Sequence, residues 1–231
     1  MISRNKLIIY IFLICTASVL SAQIANLQVS PNQVLREEKG KKFSGSRFLY
    51  EGYKNGLILD FHGEVTTELV RFDGHKNNIE VYNDGKPVII KKYYYPEIKI
   101  EFFDEVLGKK VNHVWKNKFV IQGYGEDYYF EVIDENKNYV ILKDFSVDVV
   151  ELKETGYGEG SEVTLKYVPK IKYFVKAGDN IYELEKLNKL EVSDTFGKEN
   201  VKDFIKQEKL KFKEEGDLIR LVQHLNEARA L

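Results

Sequence analysis

From about residue 48 to residue 182 the apolar side chains recur at every second position, and after about residue 183 they recur at the spacing of a helix. Ile98-Lys99-Ile100-Glu101-Phe102 and Val163-Thr164-Leu165-Lys166-Tyr167 show the first pattern. Alternation on a pleated strand sends one set of side chains to a core and the other to water, which describes half-buried antiparallel strands. Runs rich in β-branched and aromatic residues extend this reading to 57–61, 64–72, 79–82, 88–95, 118–122, 128–133, 139–142 and 170–176. Turn chemistry separates them at Asp73-Gly74, Asn83-Asp84-Gly85, Leu107-Gly108, Asn136-Lys137-Asn138 and Gly178-Asp179-Asn180. About ten strands at hairpin spacing predict an antiparallel meander that curls into a partial barrel or a sandwich. A parallel α/β sheet is disfavoured, because no helical crossover of about a dozen residues lies between the runs.

Val201, Phe204 and Ile205 follow the i, i+3, i+4 rule, and Leu218, Leu221, Val222 and Leu225 continue it to i+7. A shorter helix is expected over 184–190. Gly216-Asp217 suits a helix start, with Glu214 and Glu215 as alternative first-turn residues. Helices this short are unstable alone and must dock on the sheet, on each other or on a partner. The chain is therefore read as mainly β (α+β), with two or three short C-terminal α-helices. Its expected segments are a signal peptide over 1–22, a polar lead-in over 23–45, an antiparallel β domain over 46–182 and a helical segment over 183–231.

The signal-peptide reading rests on Arg4 and Lys6, an apolar run over 7–20, and small Ser21 and Ala22 at the expected cleavage point. A spanning helix needs about 20 apolar residues, and Gln23 and Asn26 interrupt the run too early for that. Cys15 follows Ile14 where a lipoprotein carries a small residue, so lipidation fits poorly. Export to the periplasm, the outer-membrane surface or the medium is the expectation, with no transmembrane segment after cleavage. Cys15 is also the only cysteine, so the exported chain would have no thiol, disulfide or Cys-ligated metal. The chain carries 35 basic and 36 acidic residues, and loss of Arg4 and Lys6 leaves it slightly more acidic, which argues against a nucleic-acid coat.

Convergent chemistry is sparse. His62, His75, His113 and His224 form no metal-ligand spacing. Asp60 and His62 would share a strand face, yet no nucleophile motif accompanies them. Gly156-Tyr157-Gly158-Glu159-Gly160 superficially resembles a phosphate loop, but a strand pattern follows it where such a loop needs a helix. Asp134, Glu135 and Asn136 lack calcium-loop spacing and read as a turn. The lysines at Lys91-Lys92, Lys109-Lys110 and over 206–213 alternate with acids and read as solvated faces. No catalytic residue, metal site or cofactor is expected, and no ligand-binding residue is assigned. The unusual feature is 13% aromatic content, with 15 Tyr, 14 Phe and Trp115, clustered at Tyr93-Tyr94-Tyr95 and Tyr128-Tyr129-Phe130. Consecutive tyrosines on a strand point to both faces, so part of each cluster should meet solvent or a second surface.

Gly45-Ser46-Arg47-Phe48-Leu49-Tyr50 leading to Tyr53-Lys54-Asn55-Gly56, the stretch 128–142, Lys172-Tyr173-Phe174-Val175 and the stretch 206–225 together resemble a family of uncharacterised exported proteins of Gram-negative bacteria. The resemblance covers most of the chain after residue 22 and implies an envelope or secreted protein, with no residue roles. The leading expectation is a non-enzymatic interaction or accessory module with an envelope protein partner. The alternative is a barrel-like binder of an apolar small molecule or a glycan, with Tyr-rich walls and Trp115 as contacts. A hollow closed barrel would favour the ligand, and a filled core with an exposed aromatic face would favour the protein partner.

Overall fold

A computed structural model describes residues 29–30, 42–104, 108–152 and 164–229. The expected signal peptide, most of the lead-in and the Gly156–Gly160 loop lie outside the described residues. The strands are β1 (Val29–Ser30), β2 (Lys42–Ser44), β3 (Lys54–Leu59), β4 (Val65–Asp73), β5 (Asn78–Asn83), β6 (Lys86–Ile90), β7 (Glu97–Asp104), β8 (Lys109–Lys116), β9 (Phe130–Glu135), β10 (Tyr139–Leu152), β11 (Thr164–Ala177) and β12 (Asn180–Leu184). A 3₁₀ turn spans Lys92–Tyr94, and the helices are α1 (Lys189–Phe196), α2 (Lys198–Gln207) and α3 (Glu215–Arg229).

The strands form one sheet in the order β1-β6-β5-β4-β3-β7-β8-β9-β10-β11-β12, with β2 attached in parallel to β11. All other neighbours are antiparallel. The fold is mainly β with three short C-terminal helices, as the sequence periods predict, and the sheet does not close. Two meanders meet at the β3/β7 pair, so residues 91–96 carry the chain from β6 past three strands to β7.

Ile58, Val70, Phe72, Ile98 and Trp115 from one part of the sheet pack in one core with Phe145 and Val147 of distant β10. Only a rolled sheet brings those strands together. Phe72 stacks on Trp115 with ring centroids 3.9 Å apart, so the roll is filled with side chains. At the seam the Val147 amide donates to the Gly74 carbonyl at 3.1 Å.

A second core lies between the helices and one face of β10, β11 and β12, and includes Tyr139, Ile141, Val175, Leu184, Val201, Ile205, Leu218 and Leu221. The opposite face, with Phe130, Leu142 and Phe174, is covered by Phe119 and Ile121 from the loop after β8. Burial on both faces accounts for the unbroken apolar run Tyr139-Val140-Ile141-Leu142.

Several expectations need correction. Residues 118–121 lie in a loop outside the sheet and Gln122 is in a turn: Phe119 and Ile121 turn inward while Val120 is 75% exposed, which imitates a strand's alternation without its ladder. Tyr93-Tyr94-Tyr95 lie in and beside the 3₁₀ turn, not on a strand. Asp60 and His62 lie in the β3–β4 turn, where Asp60 Oδ1 accepts the His62 and Glu64 amides at 2.8 and 2.9 Å, so this carboxylate orients backbone and not an imidazole. Residues 109–116 form β8, a strand whose many Lys, Asn and His residues hid it. The short helix expected over 184–190 begins later: Leu184 ends β12, and Asn188 caps α1 by accepting the Glu191 amide at 3.0 Å. The two runs expected over 163–167 and 170–176 are one strand, β11, whose Pro169 falls where only β10 is its neighbour. Within the polar lead-in, β1 and β2 are paired with β6 and β11.

Candidate functional site

The β4–β5 turn is held from beneath. Asp73 is fully buried, and its Oδ1 accepts the His75 and Lys76 amides at 2.9 and 3.1 Å. Its Oδ2 faces the Arg47 guanidinium at 3.2 Å, and Arg47 and Arg71 both engage buried Glu80. Burial pushes the Asp73 carboxyl up, with Arg47 and the turn amides offsetting part of the rise. In the same turn Asn77 takes the left-handed region at φ 51°, which asparagine adopts more readily than most non-glycine residues.

Asn77 behaves like a short piece of strand. Its Oδ1 accepts the Tyr129 amide at 2.8 Å and its Nδ2 donates to the Tyr129 carbonyl at 2.9 Å. The Tyr129 hydroxyl in turn donates to the Tyr95 carbonyl at 2.5 Å. The two tyrosine clusters, 35 positions apart in the chain, thus meet in space. Lys92 lies between them, its Nζ about 6 Å from the Tyr128 and Tyr129 ring centroids and donating to Asn77 Oδ1 at 3.1 Å. Asn117 Nδ2 fixes the Lys92 backbone by donating to its carbonyl at 3.0 Å.

These groups border a cleft of about 600 Å³ along the seam of the rolled sheet, lined by His75, Lys76, Asn77, Lys92, Asp127, Tyr128 and the Ser146–Val149 stretch of β10. His75 Nδ1 lies 3.0 Å from the Val147 carbonyl, which can only accept, so Nδ1 carries the proton. Tyr128 and Tyr124 donate their hydroxyls to buried Asp144 at 2.7 and 3.1 Å, strapping the 124–128 loop to β10. Burial pushes Asp144 up and those hydroxyls draw it part of the way back. Burial also draws the Lys92 ammonium down, with Asp127 opposing. The reading of Lys92 as a solvated-face residue is therefore corrected, because it is half-buried at the cleft wall.

On the other side of the same 3₁₀ turn stands an aromatic cluster. Phe61 packs on His62 and Tyr94, and Tyr94 packs on Tyr93, with Phe61 56% and Tyr93 78% exposed. The Phe61 amide donates to the Tyr94 carbonyl at 3.1 Å, tying the β3–β4 turn to this segment.

The histidines do not converge. His62 lies in the aromatic cluster, His75 at the seam, and His224 stacks on Phe204 in the helical layer. His113 pairs with Glu131 inside a polar row that continues through Lys143 to Glu215 of α3. Asp134, Glu135 and Asn136 serve the β9–β10 hairpin, accepting from Tyr139, from Lys116 and Lys118, and from the Asn138 and Tyr139 amides respectively. Trp115 is fully buried and stacks on Phe72, away from the Lys92 cleft lining. Among the described residues no group of three or more His, Cys, Asp or Glu could hold a metal ion. No helix among them is long and apolar enough to cross a membrane.

The Lys92 cleft was not legible in the sequence, since its residues come from four segments joined only by the roll. The one available signal was the Lys91-Lys92 pair directly ahead of the first of two tyrosine clusters. Comparison with protein-family models, with curated proteins and with solved structures finds no match.

Proposed function

We propose that this protein is an exported, non-enzymatic interaction module of the cell envelope that docks a protein partner through Phe61, His62, Tyr93 and Tyr94. The observation that carries the reading is the combination of a filled roll with aromatic rings standing at its surface. Rings on a short, hydrogen-bonded turn lose little entropy on docking, which suits them as interface anchors. Export rests on the charge and apolar pattern of residues 1–22. Packing of Phe72 on Trp115 argues against an apolar ligand inside the roll.

The test is affinity capture of the C-terminally tagged protein from gently cross-linked envelopes of its native host, with mass spectrometry of what co-purifies. A near-stoichiometric partner that is lost with Tyr93→Ala supports the reading. Recovery of the protein alone, capture unaffected by Tyr93→Ala, or a turnover activity abolished by a single substitution overturns it.

A further inference from the structure

We propose that the seam cleft binds a singly charged, hydroxyl-rich carboxylate of the sugar-acid class, with the Lys92 ammonium receiving the carboxylate. This site is separate from the aromatic cluster and does not depend on a protein partner.

The argument starts from which polar groups at the seam are already committed. Asn77 is used by the Tyr129 backbone, His75 Nδ1 by the Val147 carbonyl, the Tyr128 hydroxyl by Asp144, and Asp148 by Lys170. Lys92 is different. An ammonium has three N–H donors, and among the described residues its hydrogen bond goes to Asn77 Oδ1, a neutral acceptor. Among the described residues no carboxylate lies within ion-pair distance of it. Asp127 acts on this half-buried ammonium across the cleft without touching it, so N–H donors remain for an entering anion, which they would hold through charge-assisted hydrogen bonds of the strong class.

The rest of the lining selects the kind of anion. Asp127 and Asp148 border the same cleft, so a doubly charged phosphate meets about twice the repulsion that a single carboxylate does. Asp127 and Lys76, also in the lining, offer an acceptor and a donor suited to hydroxyls, not to an alkyl chain. A cleft of about 600 Å³ lies within the size range of small-molecule sites and accommodates a monosaccharide acid.

The experiment titrates D-glucuronate into the purified protein by calorimetry and by amide-resolved NMR, with D-glucose, acetate and inorganic phosphate as comparison probes. Saturable glucuronate binding is expected, with glucose much weaker. Lys92→Gln, which keeps a donor for Asn77, should weaken glucuronate by about tenfold or more. If Lys92→Gln fails to fold, wild-type NMR decides: shifts concentrated at Lys76, Asn77, Lys92 and Asp127 support the proposal, and shifts elsewhere overturn it. Absent binding, glucose bound as tightly as glucuronate, phosphate bound more tightly, or an unchanged affinity in folded Lys92→Gln each overturns it. Those failures leave the Tyr93-dependent capture result standing, so the two readings fail separately.

Discussion

Lys143→Met is the most informative single perturbation of the fold. Glu131 is only 4% exposed, and Lys143, its direct cross-strand neighbour, approaches its Oε2 at 3.1 Å. Lys143 also holds Glu215 of α3 at 2.9 Å, so one ammonium ties the helical layer to the sheet. Burial alone would raise the Glu131 carboxyl, yet His113 and Lys143 outweigh it and hold the group below the ordinary glutamate range. Methionine fills the volume of the lysine stem but leaves a buried carboxylate with His113 as its remaining partner. Breaking one side of a buried pair costs about 3 to 5 kcal/mol. With a urea dependence of about 2 to 3 kcal/mol per molar, the unfolding midpoint should fall by roughly 1 to 2.5 M. Adding Glu131→Gln removes the stranded charge and should return the double variant to within about 2 kcal/mol of wild type. The pH dependence gives an independent sign. Glu131 has a depressed folded pKa, so its contribution is present above the unfolded glutamate value of about 4.3 and is lost as pH falls through the folded one. The deficit of Lys143→Met should therefore shrink in acid. A single variant that loses less than about 1 kcal/mol, or a double variant no more stable than the single, would refute the reasoning.

Three further outcomes follow from particular residues. Gly56→Ala should destabilise by about 1 to 3 kcal/mol in chemical denaturation, because a Cβ there runs into Val70 of the paired strand. Asn188→Ala should cost about 1 kcal/mol in thermal unfolding by removing the cap of α1, whereas Asn188→Ser should cost little. Asp144 has a raised folded pKa, so its contribution is present below the unfolded value of about 3.9 and is lost as pH rises through the folded one. Asp144→Asn should accordingly gain stability relative to wild type as pH climbs through that window, and a flat difference from pH 3 to 7 would count against the assignment.

The strand and helix periods were legible because each element buries one face. Ile98 and Ile100 point inward while Lys99 points out, and Leu218, Leu221 and Val222 form one buried stripe. Where the period failed, a competing constraint was at work. Strand β8 carries His113 in the buried polar row and reads as polar, although its ladder with β7 extends over all eight of its residues. Phe119 and Ile121 alternate because a loop, not a strand, must cover Phe130 and Leu142. Leu184, Leu187 and Leu190 have helical spacing, yet Leu184 lies in a sheet and Leu190 is exposed, so spacing without a cap position misplaced the start. The cleft stayed hidden for a different reason: it is made by the order of the strands, and strand order is set by long-range packing that no local pattern encodes.

That order also explains why polar residues gather where they do. A sheet that rolls without closing leaves backbone donors and acceptors along its seam with no strand to pair them, and each must be satisfied by other means. Here Gly74 and His75 take the amide and carbonyl of Val147, Asn77 takes both backbone groups of Tyr129, and Asn117 takes the carbonyl of Lys92. The His75, Asn77 and Asn117 side chains serve the open fold whatever the protein binds. The Lys92 ammonium is not among them, since a neutral donor would satisfy Asn77 Oδ1 as well, without the cost of half-burying a charge. Lys92→Gln therefore separates the two demands: if the cation is only a strut, the variant is at least as stable and unchanged in anion binding. If the cation serves a ligand, the variant is at least as stable and has lost it.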